Sequence, residues 1–242
     1  MSNFIPCNKG DCNNGYIKTY DDGIDSITPC ICRLTHHHEL ELESKYIVAN
    51  IPKKSWSYSI SDYVGLDAQG NIPKLKKFVN EFDEKFKNKH LYLKGLYGTQ
   101  KSSLARWLVK ELLRRGKTAH YNLLDDIIKQ LVKLRDEDKD IDELEVLNCD
   151  FLVIDEADAE KCTIYQSGYQ LSFLTTFLKK RLELVGKSTI FISNSDIGCE
   201  AFFNKFGGTI QDLIRRELDD TLIFEDNYEA LSKDFNLESL WD

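Results

Sequence analysis

One stretch constrains this chain more than any other: His90-Leu-Tyr-Leu-Lys-Gly95-Leu-Tyr97-Gly98-Thr99-Gln100-Lys101-Ser102-Ser103. A short apolar strand enters a glycine-containing turn, and the turn runs straight into Leu104, Leu108 and Leu112, flanked by Ala105 and Val109. That spacing builds the apolar face of an amphipathic helix, and Gly116 ends it. The helix N-terminus aims free N–H groups and positive partial charge at whatever the turn surrounds, which suits an anion.

The turn matches the pattern G-x-x-x-x-G-K-[ST] at Gly95, Lys101 and Ser102. In that pattern backbone N–H groups cradle phosphates, the lysine reaches the β/γ oxygens and the hydroxyl ligates Mg²⁺. Tyr97, Gly98, Thr99, Gln100 and Ser103 are the other loop positions placed against the phosphates. Gln100 occupies the second glycine position. Glycine there removes a Cβ from the path of the backbone, so Gln100 is expected to weaken nucleotide binding or to alter the turn. The competing reading is a plain strand-turn-helix with an exposed lysine.

A second motif raises the first. Phe151-Leu-Val-Ile154 runs unbroken into Asp155-Glu156, and a continuous apolar run suits a strand buried on both faces of a parallel sheet. At the carboxyl end of such a strand, Asp155 can hold Mg²⁺ through its water shell and Glu156 can polarise an attacking water. The two motifs stand about fifty-five residues apart, with one strand-helix unit, Thr118–Asn122 and Leu124–Leu134, between them. A further helix over Tyr169–Leu184 leads to Ser188-Thr-Ile-Phe-Ile-Ser-Asn194-Ser, where Asn194 is the polar candidate at a strand end. Phe206–Glu217 reads as a helix presenting Arg215 and Arg216 before a last strand, Thr221–Phe224. Either arginine can serve as a finger on a neighbouring subunit's nucleotide; the alternative is a surface arginine paired with Glu217 or Asp212. The residues after Glu225 are acidic and too few for a separate helical lid.

With 242 residues the chain holds one α/β domain and a small appendage. Its net charge of −8 gives no global basic footprint for nucleic acid, so DNA contact requires a local patch or an assembled ring. No apolar run reaches a membrane span and no signal peptide is evident, which leads us to expect a soluble cytoplasmic protein. Four of the seven cysteines cluster as Cys7-x4-Cys12 and Cys30-x-Cys32 in a polar segment with little other means of folding. Four thiolates suit tetrahedral Zn²⁺; the alternative is free thiols in a flexible tail. His36-His37-His38 opens a helix-like stretch, Glu39–Lys45, and is assigned no role. Between Tyr46 and Lys89 turn signals at Asn50-Ile-Pro52, Gly65 and Gly70-Asn71 precede a helix from Pro73 carrying Leu75, Phe78, Val79, Phe82 and Phe86. Trp56, Tyr58 and Tyr63 either flank an adenine ring or pack. Three regions are thus expected: a cysteine-rich 1–45, a linker and helix 46–88, and the nucleotide fold 89–242.

From about Asn50 to Tyr228 the chain resembles the AAA+ ATPases of the DnaC/DnaI helicase-loader group, with the phage loaders and related IstB transposition ATPases. The residues that carry the resemblance are Gly95-x4-Gln-Lys101-Ser102, the helix ending Glu-Leu-Leu-Arg-Arg-Gly116, Leu152-Val-Ile-Asp155-Glu156, Ser193-Asn194-Ser195 and Asp212-Leu-Ile-Arg215. The resemblance implies a five-stranded parallel sheet with the phosphate-loop strand central, and ATP held between subunits of a ring or spiral. It further implies Lys101 and Ser102 on phosphate and Mg²⁺, Asp155 on Mg²⁺, Glu156 as the base, Asn194 as a sensor and Arg215 as the finger, Arg216 in reserve. The implied activity is ATP-driven loading of a DnaB-type replicative helicase onto single-stranded DNA, with residues 1–45 gripping the helicase and a phage or mobile-element origin. The alternatives are an IstB-like regulator on duplex DNA and a non-hydrolysing nucleotide-binding adaptor.

Overall fold

The computed structural model describes residues 5–7, 10–21, 24–65, 67–158 and 168–224. They fall into two compact units, Met1–Val48 and Ala49–Asp242.

In the first unit β1 (Cys12–Asn13), β2 (Tyr16–Asp21) and β3 (Ile24–Pro29) form an antiparallel sheet in that order, followed by α1 (Ile31–Val48). Asn14 and Gly15 both take positive φ, 48° and 87°, as a two-residue type I′ hairpin turn requires. The helix expected from Glu39 begins at Ile31 and takes in Cys32 and the three histidines.

The second unit opens with single 3₁₀ turns at Lys53–Ser55 and Ile60–Asp62, then α2 (Ala68–Asn80) and a π-helical turn, Phe82–Phe86. There follow β4 (His90–Gly95), α3 (Lys101–Arg114), β5 (Ala119–Leu123), α4 (Leu124–Asp136), the short α5 (Glu145–Asn148) and β6 (Phe151–Asp155). Then come α6 (Gly168–Lys179) with a π-helical extension to Val185, β7 (Ser188–Ser193), α7 (Glu200–Glu217) and β8 (Asp220–Phe224). The five strands β4 to β8 form one parallel sheet in the order β5-β6-β7-β4-β8. The phosphate-loop strand is therefore interior, between β7 and β8, while β7 rather than β4 holds the middle place. Every residue of β6 and β7 is buried, which is why their apolar runs are continuous rather than alternating.

Helices flank this sheet. Ile127, Phe177, Leu178, Phe202 and Ile210 join α4, α6 and α7 to the strands in one apolar cluster. Phe78 packs tilted and Phe82 edge-on against Phe151, their ring centroids 5.6 and 6.1 Å from it, and so fix α2 and its extension on β6.

Two helices of this unit also start away from the expected positions. α2 starts at Ala68, ahead of Pro73, so the Gly70-Asn71 turn signal lies inside it. Its start is held by Asp67, whose carboxylate accepts Asn71 Nδ2 and, at 2.6 Å, Tyr63 Oη. α7 begins at Glu200 and breaks at Gly207, whose φ of 78° and ψ of 161° belong to a region essentially restricted to glycine. The acidic segment after Glu225 lies outside the described residues. Among the described residues no helix is long and apolar enough to cross a membrane.

Candidate nucleotide-binding site

The carboxyl ends of β4, β6 and β7 meet at a cleft of about 570 Å³, lined by Tyr97 to Ser103, Asp155, Glu156, Asp158, Ser193 and Asn194, with Lys54 from the first 3₁₀ turn. This is where open parallel sheets place ligands.

Gly95 closes β4. A Cβ there would stand 2.3 Å from the carbonyl oxygen of Phe224, its register partner on β8, so glycine is required by strand packing. Gly98 and Gln100 then take positive φ, 80° and 59°. Gln100 thus adopts the left-handed turn itself, at a cost of roughly 1–2 kcal/mol for a residue with a Cβ. Its Oε1 lies 3.4 Å from Tyr58 Oη. Leu104 N–H is bonded to Gln100 O at 3.0 Å; helix geometry leaves the amides of Lys101, Ser102 and Ser103 without intrahelical acceptors, at the cleft.

Lys101 is buried, and its Nζ donates to Gly95 O (2.7 Å), Leu96 O (2.8 Å), Thr99 Oγ1 (3.0 Å) and Asn194 Oδ1 (3.1 Å). The loop is closed around its own lysine. Asp155, also buried, accepts Tyr121 Oη on Oδ2 and Glu156 N–H on Oδ1 at 2.7 Å. Glu156 takes a positive φ of 54°, a strained conformation for a non-glycine residue. That turn brings Ala157 N–H to Ile192 O at 2.9 Å and seats Asp158 beneath the end of β7.

Asp158 escaped the sequence reading. Its carboxylate accepts Ser193 Oγ, the backbone N–H of Asn194 (2.6 Å) and of Ser195 (3.1 Å), and Asn194 Nδ2 (2.9 Å). Because Nδ2 is held there, Asn194 Oδ1 faces Lys101. The signal was a third acidic residue, three places after Asp155. Lys54, Tyr121 and Arg106, which donates to Tyr121 Oη at 2.8 Å, were likewise missed.

The remaining predicted site residues lie elsewhere. Arg215 and Arg216 are on the segment of α7 after Gly207, and neither lines the cleft. Arg216 pairs with Glu183 and Glu217. Arg215 is exposed. Lys94, 2.6 Å from Asp196, and the Gly198 N–H hold the Asp196 carboxyl below its usual range, with a smaller contribution from Arg215. In the first unit Cys7, Cys12, Cys30 and Cys32 bring their four Sγ atoms within 4.8 Å of one another. The Cys7–Cys30 and Cys12–Cys32 separations are 3.6 and 3.7 Å, and all four thiols are free. The edge of a Zn–S tetrahedron with 2.3 Å bonds is about 3.8 Å, so the donor set fits that ion. The histidines are not part of it.

Sheet order, phosphate loop and the Asp155-Glu156 strand end define a P-loop fold of the AAA+ type. Solved structures of replication proteins share it. A crystal structure of the DnaC helicase loader superposes with a TM-score of 0.56 at 23% identity, covering 72% of this chain and 99% of that one. The crystal structure of DnaI gives 0.52 at 20%, covering 73% and 91%. The replication initiator DnaA, bound to AMPPCP and single-stranded DNA, gives 0.58 at 16%, covering 75% of this chain and 56% of that one. No protein-family model matches the sequence, and no curated protein matches it.

Proposed function

We propose that this chain is an ATP-dependent loader that delivers a DnaB-type replicative helicase onto single-stranded DNA, encoded by a phage or other mobile element. The observation that carries the reading is the convergence of Lys101, Ser102, Asp155, Glu156 and Asn194 on one cleft, in a fold shared along almost the whole length of the DnaC structure. That DnaA was solved with AMPPCP and single-stranded DNA supports ATP and DNA as ligands of the same architecture.

In this reading the amides of 101–103 and Lys101 bind the triphosphate. Ser102 and Asp155 would hold Mg²⁺, which would supply charge neutralisation at the phosphates. Glu156 polarises the attacking water, and Asn194, fixed by Asp158, stands beside the γ-phosphate. Subunits assemble as a ring or spiral. Arg215, exposed and outside its own cleft, reaches the neighbour's nucleotide, whereas Arg216 is engaged with Glu183. Cys7, Cys12, Cys30 and Cys32 hold zinc, which ties β1 and the start of α1 together. The unit so formed grips the helicase.

ATP turnover by the purified chain, alone and with single-stranded DNA and a DnaB-type helicase, tests this against Lys101→Ala and Glu156→Gln. Stimulation by those partners and a loss of a hundredfold or more in each variant are expected, as for removal of a general base in Glu156→Gln and of a donor to the phosphates in Lys101→Ala. ATP binding without turnover would establish the non-hydrolysing adaptor instead, and ATP-dependent filaments on duplex DNA the IstB-like regulator.

A further inference from the structure

Tyr121 stands on β5 with its ring buried and its hydroxyl donated to Asp155 Oδ2. The same hydroxyl accepts Arg106 Nη2 at 2.8 Å, and the guanidinium lies over the ring, 4.6 Å from its centroid. Arg106 also reaches Ser55 Oγ at 3.4 Å, while its Nε is buried without an acceptor. Its charge therefore meets Asp155 through Tyr121.

Arg106 follows Ser102 by four residues on α3, and residues at that spacing share a helix face. One helix thus carries both the hydroxyl proposed to ligate Mg²⁺ and the group that polarises the donor to the opposing carboxylate. Each Asp155 oxygen already accepts one hydrogen bond, from Tyr121 or from the Glu156 amide. Such a carboxylate is fixed in rotation, as hydrogen-bonded carboxylates around metal sites are.

We propose that Arg106 and Tyr121 are a positioning pair that orients Asp155 toward the cation accompanying the bound nucleotide. The assignment rests on the nucleotide reading above and deepens it. A merely structural role, stitching α3 to β5, makes a different prediction.

The test is a Mg²⁺ titration of fluorescent ATP-analogue binding by the full chain, run beside the same binding in EDTA. Tyr121→Phe keeps the ring and removes the hydroxyl. Its Mg²⁺ midpoint should rise roughly tenfold, the scale of outer-shell substitutions at metal sites, with metal-free affinity unchanged. Arg106→Lys keeps the charge but loses the planar fork and the stack. It should shift the midpoint the same way, and the double variant should fall short of the product of the two. An unchanged midpoint, or equal weakening with and without Mg²⁺, overturns the assignment; should Tyr121→Phe fail to fold, Arg106→Lys decides it. A parent chain that binds nucleotide independently of Mg²⁺ overturns the pair's role and leaves the nucleotide reading standing. One that binds no nucleotide removes both.

Discussion

Replacing Gln100 by glycine tests the phosphate loop through the sign of a stability change. Gln100 holds φ 59° and ψ 15°, and the left-handed conformation costs a residue with a Cβ roughly 1–2 kcal/mol. Glycine is free of that cost but loses more backbone freedom on folding, a penalty of about 0.5–1 kcal/mol. The Tyr58 hydroxyl, 3.4 Å from Gln100 Oε1, is too distant to add much. The balance puts Gln100→Gly between neutral and about 1.5 kcal/mol more stable than the parent. The internal control is Gln130→Gly in α4, an ordinary helical site, where the same exchange should cost about 0.5–1 kcal/mol. Urea midpoints at constant slope measure both. If Gln100→Gly proves as costly as Gln130→Gly, the loop does not turn through the left-handed region at this residue, and the account of how the chain tolerates Gln100 is wrong. Nucleotide affinity of the glycine variant should equal or exceed that of the parent, since its backbone conformation is retained.

Two other outcomes follow from the same structure. Lys110 is buried and its Nζ donates to the carbonyls of Ser55 (2.8 Å), Trp56 (2.9 Å) and Tyr58, so Lys110→Met should cost about 1–3 kcal/mol by leaving them unpaired. Burial draws Lys110 down to about 8 from the ordinary 10.5; between those values the unfolded chain binds the proton more tightly, so this group's contribution to stability rises with pH across that window. Denaturation midpoints at stepped pH should show that slope in the parent and not in the methionine variant. Metal analysis of the purified chain should find one zinc per chain, lost in Cys30→Ser together with hydrogen-exchange protection of β1 to β3, while nucleotide binding by Ala49–Asp242 persists; a zinc-free parent with protected β1 to β3 would refute the site.

What was legible in the sequence was local. The β4-loop-α3 unit, the β6 run ending in Asp155 and the β7 run before Asn194 each announce themselves by apolar continuity and a polar terminus, and the sheet brings those termini to one edge. Asp158 and Tyr121 were not legible because their roles are set by partners across strands: Asp158 by the Ser193-Asn194-Ser195 turn and Tyr121 by Asp155 in the neighbouring strand. Asn14-Gly15 did carry a hairpin signal, obscured by the cysteines around it. Pro73 was misleading for the opposite reason. It looked like a first helical residue, yet Asp67 had already fixed the helix start through Asn71 and Tyr63.

The engagement of Lys101 explains how these parts act together. Its ammonium is shared among two loop carbonyls, Thr99 Oγ1 and Asn194 Oδ1, so an incoming ligand must replace several charge-assisted hydrogen bonds at once. A single carboxylate offers too few oxygens for that exchange; a polyphosphate offers enough, and the N-terminal turn of α3 favours its charge. When Lys101 turns to such a ligand, Asn194 Oδ1 loses a partner while Nδ2 stays on Asp158. On the proposed reading the asparagine is then left oriented, with its Oδ1 available to accept from a water activated by Glu156. On the proposed nucleotide reading, occupancy of the loop and readiness of the strand end are thus linked through one lysine, and removing the Asp158 carboxylate should uncouple nucleotide binding from turnover.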